Sequence, residues 1–266
     1  MKRRVLPYLC LGACLISIAC PSRRSEPGPD KAAALRSRID LISGLLDQRG
    51  LAARVFEDMS GALPDDAWLT EVAYDASGIR AKGYAPSNSV VADYVSRLGG
   101  ISVLTDVNLQ SSVQRRIRNR EWQEVSVQAG VKGARGGEPS ASGAGPDPDD
   151  VAALTSRLAE LEKNIPAGKD SAGILRQFQE AANDSGLKIT KFAPGSEMPG
   201  EFYAELSISI EATGSRQSLG RFLERIAELP GLWVIKKFSV KAISAQDPGS
   251  PIRASLAAQT CTTSNN

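Results

Sequence analysis

Residues 79–109, IRAKGYAPSNSVVADYVSRLGGISVLTDVNL, decide the fold of this chain, because the same pattern occurs again further along the sequence. The second copy is residues 210–240, IEATGSRQSLGRFLERIAELPGLWVIKKFSV, and it aligns without a gap at a constant offset of 131 residues. The identical positions fall on glycines and on one helix face: Ile79/Ile210, Ala81/Ala212, Gly83/Gly214, Ser87/Ser218, Leu98/Leu229, Gly100/Gly231 and Val103/Val234. Their order is kept over a strand, a helix and a strand, which predicts two copies of one small fold.

Length and composition limit the classes of function. A chain of 266 residues has room for two domains and a linker. Its net charge of +2 is too weak to indicate a nucleic-acid partner. The sequence has no His, and the spacing of Cys10, Cys14, Cys20 and Cys261 fits neither a zinc site nor a disulfide framework. We therefore expect no metal, no cofactor and no catalytic site, because no nucleophile, base and orienting group can be named together.

The N-terminus has the pattern of an export signal or short anchor. MKRR precedes an apolar run from Val5 to Ala19, fifteen residues long, whereas a membrane-spanning helix needs about 20. Small residues before Cys20 resemble a bacterial lipoprotein processing site, so Cys20 is a candidate lipid attachment site. An uncleaved anchor and a cysteine buried in a signal helix are the alternatives. Residues 1–20 are thus a signal or anchor and residues 21–30 a tether, with the following chain exported.

The first folded region is predicted over residues 31–129. It begins with a helix whose apolar residues recur at steps of four, three and four. These residues form one seam: Leu35, Ile39, Ile42 and Leu46. A second helix, two strands, a third helix and two more strands follow. Residues 130–150, rich in Gly, Pro and Ser, are predicted to be a linker because they contain almost no bulky apolar side chain.

The second folded region is predicted over residues 151–260, with a tail at residues 261–266. It repeats the same order of elements and also begins with an apolar seam: Leu154, Leu158, Leu161 and Ile165. Two heptads are fewer than a coiled coil usually needs. The two seams are therefore candidate interaction surfaces, and packing of each helix on its own domain is the alternative.

The order of elements predicts the fold class. Helix, two strands, helix, two strands gives a four-stranded antiparallel sheet with two helices on one face, an α+β fold of ferredoxin-like type with circularly shifted elements. Each copy leaves an edge strand available, and edge strands pair readily with other chains. We therefore expect two association modules, each preceded by a helical stem.

Particular residues resemble a pair of protein families. Leu63-Pro64, Trp68-Leu69-Thr70, Gly83-x-Ala85 and the helix from Val91 to Leu98 resemble the periplasmic part of PilN. In the second half, the matching residues resemble PilO: Ala181-x-x-x-Ser185-Gly186-Leu187, Glu201-Phe202-Tyr203, and the run from Gly214 to Pro230. The resemblance covers roughly residues 31–129 and 149–243, so the chain resembles a fusion of the two.

This resemblance implies a non-enzymatic scaffold of type IV pilus biogenesis or of type II secretion. In the family, PilN and PilO pair through coiled coils and ferredoxin-like domains and connect the inner-membrane platform with the secretin. The implied partners are a PilP-like protein, the secretin, and either the other half of the chain or a second copy. PilN docks on PilM through an Asn-Leu-Leu-Pro type segment, which MKRRVLPYLC lacks, so the resemblance gives no support for a PilM-like partner.

The implied location is a membrane, with the body of the protein on the periplasmic side. The inner membrane is favoured, and an outer-membrane lipoprotein is the alternative. One different function stays open at this point: an exported lipoprotein that binds a small ligand between two ferredoxin-like domains. That function predicts a cleft shared by the domains and lined by converging polar groups.

Overall fold

The computed structural model describes residues 29–134, 151–163, 165, 171–200 and 202–262. The first half of the chain contains three helices and four strands: α1 (Pro29–Gln48), α2 (Leu51–Gly61), β1 (Trp68–Asp75), β2 (Gly78–Ala85), α3 (Asn88–Gly99), β3 (Leu104–Ile117) and β4 (Arg120–Val131). The second half repeats this order: α4 (Val151–Glu162), α5 (Ser171–Ser185), β5 (Lys188–Pro199), β6 (Ala204–Gly214), α6 (Arg216–Glu228), β7 (Val234–Ala242) and β8 (Ile252–Thr262).

All eight strands belong to one antiparallel sheet, in the order β3-β4-β2-β1-β7-β8-β6-β5. Each half contributes four neighbouring strands in the same relative order, which is the order of a circularly shifted ferredoxin-like fold. The α+β class and the two ferredoxin-like units predicted from the sequence are therefore confirmed. The sequence did not predict that the two four-stranded sheets join, which they do by pairing β1 with β7.

One hydrophobic core runs through both halves on the helix-covered side of the sheet. Helix α2 of the first half packs against α6 and β7 of the second half. Apolar residues on one face of each of these two helices are buried: Leu51, Val55, Phe56, Met59, Leu219, Phe222, Leu223 and Ile226. They lie in a single cluster that also includes residues of α3 and α5. The two halves thus share their main core.

The repeated glycine pair Gly83 and Gly214 has a steric explanation. A Cβ atom added at Gly83 would lie 2.4 Å from the carbonyl oxygen of Trp68 on the neighbouring strand. At Gly214 it would lie 2.8 Å from a methyl carbon of Leu187. Gly83 therefore requires the absence of a side chain because the obstacle is backbone, whereas at Gly214 the end of the Leu187 side chain would have to shift.

Three boundaries predicted from the sequence fall inside regular elements. Helix α1 begins at Pro29, inside the predicted tether, β4 continues to Val131, inside the predicted linker, and β8 continues to Thr262, inside the predicted tail. The strands extend because their last residues still have partners: Val131 is paired with Leu104 and Thr262 with Ala204. The predicted signal or anchor at residues 1–20 and most of the tether and linker lie outside the described residues.

Candidate interaction surfaces

The junction between β1 and β7 holds the two halves together by apolar contacts. Val72 of β1 is paired with Val240 of β7, and both side chains are buried. Tyr74 stacks on Phe238 with ring centroids 5.2 Å apart. Phe56 of α2 meets the same Phe238 ring edge-on at 6.0 Å. Because Phe238 is completely buried between two residues of the first half, it is the main apolar anchor of the junction.

On the opposite face of the sheet, Glu71 forms ion pairs on both sides of β1. Its carboxylate lies 3.2 Å from Lys82 Nζ on β2 and 3.2 Å from Lys241 Nζ on β7. Burial of Glu71 favours the neutral acid, but the hydrogen bonds from Lys82 and Lys241 outweigh this effect and lower its pKa. Glu71 therefore connects the two halves by ion pairs, on the face of the sheet opposite to the apolar contacts of the junction.

Substituting Glu71→Gln is expected to weaken the junction in a pH-dependent way. A carboxylate with a lowered pKa stabilises the fold above its unfolded pKa of about 4.3, and the stabilisation is lost as the pH falls through the folded value. The substitution should cost about 0.5–1 kcal/mol at pH 7, since the pair is partly exposed, and almost nothing at pH 3. Urea unfolding of the full chain at the two pH values measures this difference.

The matched control is Glu211→Gln. Glu211 makes one ion pair, with Lys191 at 3.5 Å, and both residues lie in the second half. This variant should lose less stability than Glu71→Gln at pH 7. An equal loss for Glu71→Gln at pH 7 and pH 3 would rule out the charge bridge.

The structure brings the eight predicted seam residues together in one cluster, because α1 packs against α4. Ile39, Ile42, Leu154, Leu158 and Ile165 are buried in it. The remaining three lie at its margin, half-buried: Leu35, Leu46 and Leu161. The two stem helices, α1 and α4, thus pack against each other within the chain, so each stem contacts the other as well as its own domain.

A polar cluster fixes the base of this stem pair. Arg38 Nη2 of α1 donates to Glu162 Oε1 of α4 at 2.9 Å, and the Tyr203 hydroxyl donates to the same oxygen at 2.5 Å. The Arg38 guanidinium also lies 5.3 Å from the centre of the Tyr203 ring. Burial, together with the hydrogen bond to Glu162, raises the pKa of Tyr203 to about 12. Arg38, Glu162 and Tyr203 therefore tie both stems to the second ferredoxin-like unit.

A second set of contacts ties the end of α1 to α6 and β7. Arg49 donates hydrogen bonds to the carbonyl oxygens of Ala227 and, at 2.8 Å, of Leu229, which lie at the C-terminal end of α6. A cation is favourable there because the last carbonyl groups of a helix carry partial negative charge. Lys236 Nζ donates to Gln48 Oε1 at 2.7 Å. The first stem is thus bound to the second half at two separate places.

Substituting Tyr203→Phe should loosen the stem pair. The change removes the hydroxyl donor and leaves Glu162 with one fewer hydrogen bond, which typically costs about 1–2 kcal/mol. Hydrogen exchange should then become faster in α1 and α4, while β1 and β2 keep their protection. The control is Tyr84→Phe, since the Tyr84 hydroxyl makes no hydrogen bond among the described residues. Unchanged exchange in α1 and α4 of Tyr203→Phe would contradict the proposed tie.

Two open grooves lie between α2 and α6, that is, between the two halves. One has a volume of about 580 Å³ and is lined mainly by charged residues, including Arg54, Glu57, Arg221 and Glu224. The other, of about 610 Å³, has more apolar walls. A hydrogen bond between the Glu57 and Glu224 carboxyl groups raises the pKa of Glu57. Among the described residues, no group of three or more acidic or cysteine side chains is placed to hold a metal ion.

An aromatic cluster lies on the sheet face that the helices leave open. Trp68 contacts the rings of Tyr84 and Trp122 at centroid distances of 5.4 and 4.6 Å. The arginine-rich hairpin between β3 and β4 borders it, with Arg120 over Trp122 at 5.7 Å. This cluster was not predicted from the sequence, because its three residues come from three separate strands.

The remaining predicted site, Cys20, lies outside the described residues. Within the described part of the chain, no helix has both the length and the apolar character required to cross a membrane. Four contact residues were not predicted from the sequence: Glu71, Arg38, Glu162 and Tyr203. Charge in the stems next to the seam was the only available signal for Arg38 and Glu162, and nothing in the sequence paired them across 124 positions.

Comparisons with known proteins agree with this two-part organisation. The family model "Fimbrial assembly protein (PilN)" matches residues 54–131. The family model "Type IVa pilus alignment subcomplex PilO C-terminal domain" matches residues 170–264. A comparison with curated proteins gave no match.

Two solved structures are similar to part of the chain, and both are of PilO from Pseudomonas aeruginosa. The first, of the type 4 fimbrial biogenesis protein PilO, is 23% identical and covers 43% of this chain and 90% of its own, with a TM-score of 0.36. The second, of the core region of PilO, is 26% identical and covers 35% of this chain and 95% of its own, with a TM-score of 0.33. From the two family matches, the chain joins a PilN-like segment and a PilO-like segment in one polypeptide.

Proposed function

We propose that this protein is a non-enzymatic structural component of type IV pilus biogenesis, a periplasmic scaffold between the inner-membrane platform and the secretin. The observation that carries the proposal is the order of the two family matches, PilN-like and then PilO-like, on halves that share one sheet. Proteins of these two kinds are assembly factors, so the chain acts by holding other proteins in place.

Fusion gives such a scaffold a fixed composition. Two modules on one polypeptide meet at an effective concentration in the millimolar range when the linker spans the gap. The pairing of α1 with α4 and of β1 with β7 supports this arrangement, because each contact joins one half to the other. The scaffold therefore presents both modules in a one-to-one ratio and in one orientation to its partners.

The N-terminal segment is proposed to anchor the scaffold in a membrane, with the body in the periplasm. The basic start, the apolar run and Cys20 support an anchor, with a lipid on Cys20 as one form of it. Mass spectrometry of the mature N-terminus tests this part separately. A lipidated Cys20 as first residue supports the lipoprotein form, and an intact Met1 supports the uncleaved anchor.

The function is tested in the native bacterium. Deleting the gene should abolish surface pili, and the full chain supplied in trans should restore them. Affinity purification of the full chain from membranes should recover the secretin and a PilP-like protein. Normal piliation in the deletion strain, together with no recovery of pilus proteins, would contradict the proposal.

The charged groove between α2 and α6 favours a second candidate, ligand binding between the two halves. It provides Arg54, Arg221 and Arg225, although three glutamates and Asp184 also line it. If the groove binds a small anion, phosphate or a dicarboxylate should raise the unfolding temperature of the full chain, and Arg221→Gln should remove the increase. No increase at millimolar concentrations would leave the scaffold function as the better supported one.

A further inference from the structure

Among the residues that the structure describes, two strands of the sheet have one unpaired edge each, β3 at one end and β5 at the other. The internal repeat relates these free edges to the pair that forms the junction. In each half the strand order is the same, so β3 corresponds to β7 and β5 corresponds to β1. The two end strands, β3 and β5, are therefore the repeat equivalents of β7 and β1, the two strands that pair at the junction.

The correspondence can be followed residue by residue. Leu109 of β3 aligns with Val240 of β7 at the repeat offset. On the other edge, Val72 is paired with Ala81 and Ile189 is paired with Ala212, and Ala81 and Ala212 are a repeated identity. Ile189 thus occupies in β5 the place of Val72 in β1.

The exposure of these residues differs in the way a missing partner predicts. Val72 and Val240 cover each other in the junction and are 5% and 4% exposed. Leu109, in the place of Val240, is 44% exposed. Ile189, in the place of Val72, is half-buried. Apolar side chains therefore stand partly uncovered at the positions that seal the internal junction.

The neighbouring positions follow the same correspondence. Phe192 of β5 is paired with Ile210, as Tyr74 of β1 is paired with Ile79, so Phe192 takes the place of Tyr74. Val107 of β3 aligns with Phe238. Both Phe192 and Val107 are half-buried. The free edges thus each carry two apolar residues in the register of the junction.

We propose that β5 of one copy of this chain pairs with β3 of a second copy, in the antiparallel register of the β1–β7 junction. Ile189 then lies opposite Leu109, and Phe192 lies opposite Val107. Because the two surfaces differ, the contact is head-to-tail and continues from copy to copy, as a ring if its rotation closes and as a filament if it does not. The partner is thus a second copy of the same protein.

Features of both edges limit the length of this contact. The proposed segment of β5, Lys188 to Phe192, ends before Pro194, whose missing N–H limits pairing further along the strand. Bulges on β3, between Thr105 and Asn108 and between Leu109 and Ser111, confine regular pairing to a short stretch. The contact is therefore short, comparable to the four residue pairs of the internal junction.

Charge makes the contact between copies weaker than the junction within the chain. At the positions equivalent to the ion pair of Glu71 with Lys241, the contact between copies places Lys188 opposite Gln110. These two side chains form no ion pair and do not repel each other. The association is consequently reversible and depends on protein concentration. It does not rest on the proposed pilus function, because it follows from the repeat and the strand register alone.

Cysteine cross-linking of the full chain tests the register. One tagged variant carries Leu109→Cys and a differently tagged variant carries Ile189→Cys, and the two are mixed in mild detergent under oxidation. Directly opposed residues in an antiparallel pair have Cβ atoms about 4.5–5.5 Å apart, close enough for a disulfide. We expect a disulfide between positions 109 and 189 of different copies, identified by mass spectrometry, and at least tenfold less product from either variant alone.

The control pairs Ile189→Cys with Val113→Cys, since Val113 is equally exposed, at 47%, on the same strand but outside the proposed segment. Equal cross-linking through positions 113 and 109, or a dominant product between two copies of Leu109→Cys, would overturn the head-to-tail contact.

Light scattering provides a readout that needs no introduced cysteines. The average mass of the full chain should rise with concentration, and Leu109→Lys should weaken association by about tenfold or more, whereas Val113→Lys should leave it unchanged. Circular dichroism shows whether each variant is folded. A mass that stays at one copy at all concentrations, together with no specific cross-link, would refute the proposal.

Discussion

Replacing Phe238 by alanine should lower the free energy of unfolding by about 3–5 kcal/mol, the usual cost of emptying the site of a buried phenylalanine. Phe238 is fully buried on β7 and contacts Tyr74 of β1 and Phe56 of α2. Because both of these residues belong to the first half, the loss should reach beyond the strand that carries the substitution. Urea unfolding of the full chain measures the loss, and hydrogen exchange should show reduced protection in β1 as well as in β7.

Phe192→Ala is the matched control for this experiment. Phe192 is half-buried and contacts Phe178 at 6.1 Å, within the second half. We expect less than half of the loss caused by Phe238→Ala and no change of exchange in β1. If Phe238→Ala left β1 fully protected, the two halves would be independent units and the shared core would be wrong.

The second large effect is expected for Gly83→Ala. A new Cβ atom would lie 2.4 Å from the Trp68 carbonyl oxygen, and since that atom belongs to the backbone of β1, a strand has to move. Such overpacking costs about 3 kcal/mol. The unfolding temperature of the full chain should fall accordingly, with the change detected by circular dichroism.

Gly44→Ala is the control: it makes the same substitution, and the expected effect on stability has the opposite sign. Gly44 lies inside helix α1, and nothing in the described structure lies within 4 Å of a Cβ atom added there. Alanine should stabilise the stem by about 0.5–1 kcal/mol, because glycine is a poor helix residue. A stabilising Gly83→Ala would show that the close approach of β1 and β2 does not exist.

The sequence predicted what depends on local pattern and on the repeat. The helix seams Leu35 to Leu46 and Leu154 to Ile165 were identified because apolar spacing reports which side of a helix is buried. The β1–β7 junction was not predicted, because alternation along a strand indicates which face of the sheet a side chain lies on. It does not indicate which strand lies beside it. Val72 and Val240 would show the same pattern on a free edge.

Strand lengths were underestimated for a related reason. The sequence predicts that the third strand ends near Leu109, whereas β3 continues to Ile117. Its outer part, residues 110–117, contains only two apolar residues, Val113 and Ile117, so it shows no apolar alternation that would predict a strand. The caps of the two equivalent helices do not align in the repeat: Ser87 caps α3, whereas Ser215, and not the aligned Ser218, caps α6.

The measurement that tests the account most directly is a disulfide across the junction. Ala73 of β1 is paired with Ser239 of β7, and Ser239 with Ser255 of β8. The full chain carrying Ala73→Cys and Ser239→Cys should form an intramolecular disulfide on mild oxidation, identified by mass spectrometry. Ala73→Cys with Ser255→Cys should not, because two strand spacings of about 4.8 Å exceed the reach of a disulfide. Absence of the first cross-link, or equal yields of both, would contradict a continuous sheet made from the PilN-like and PilO-like halves.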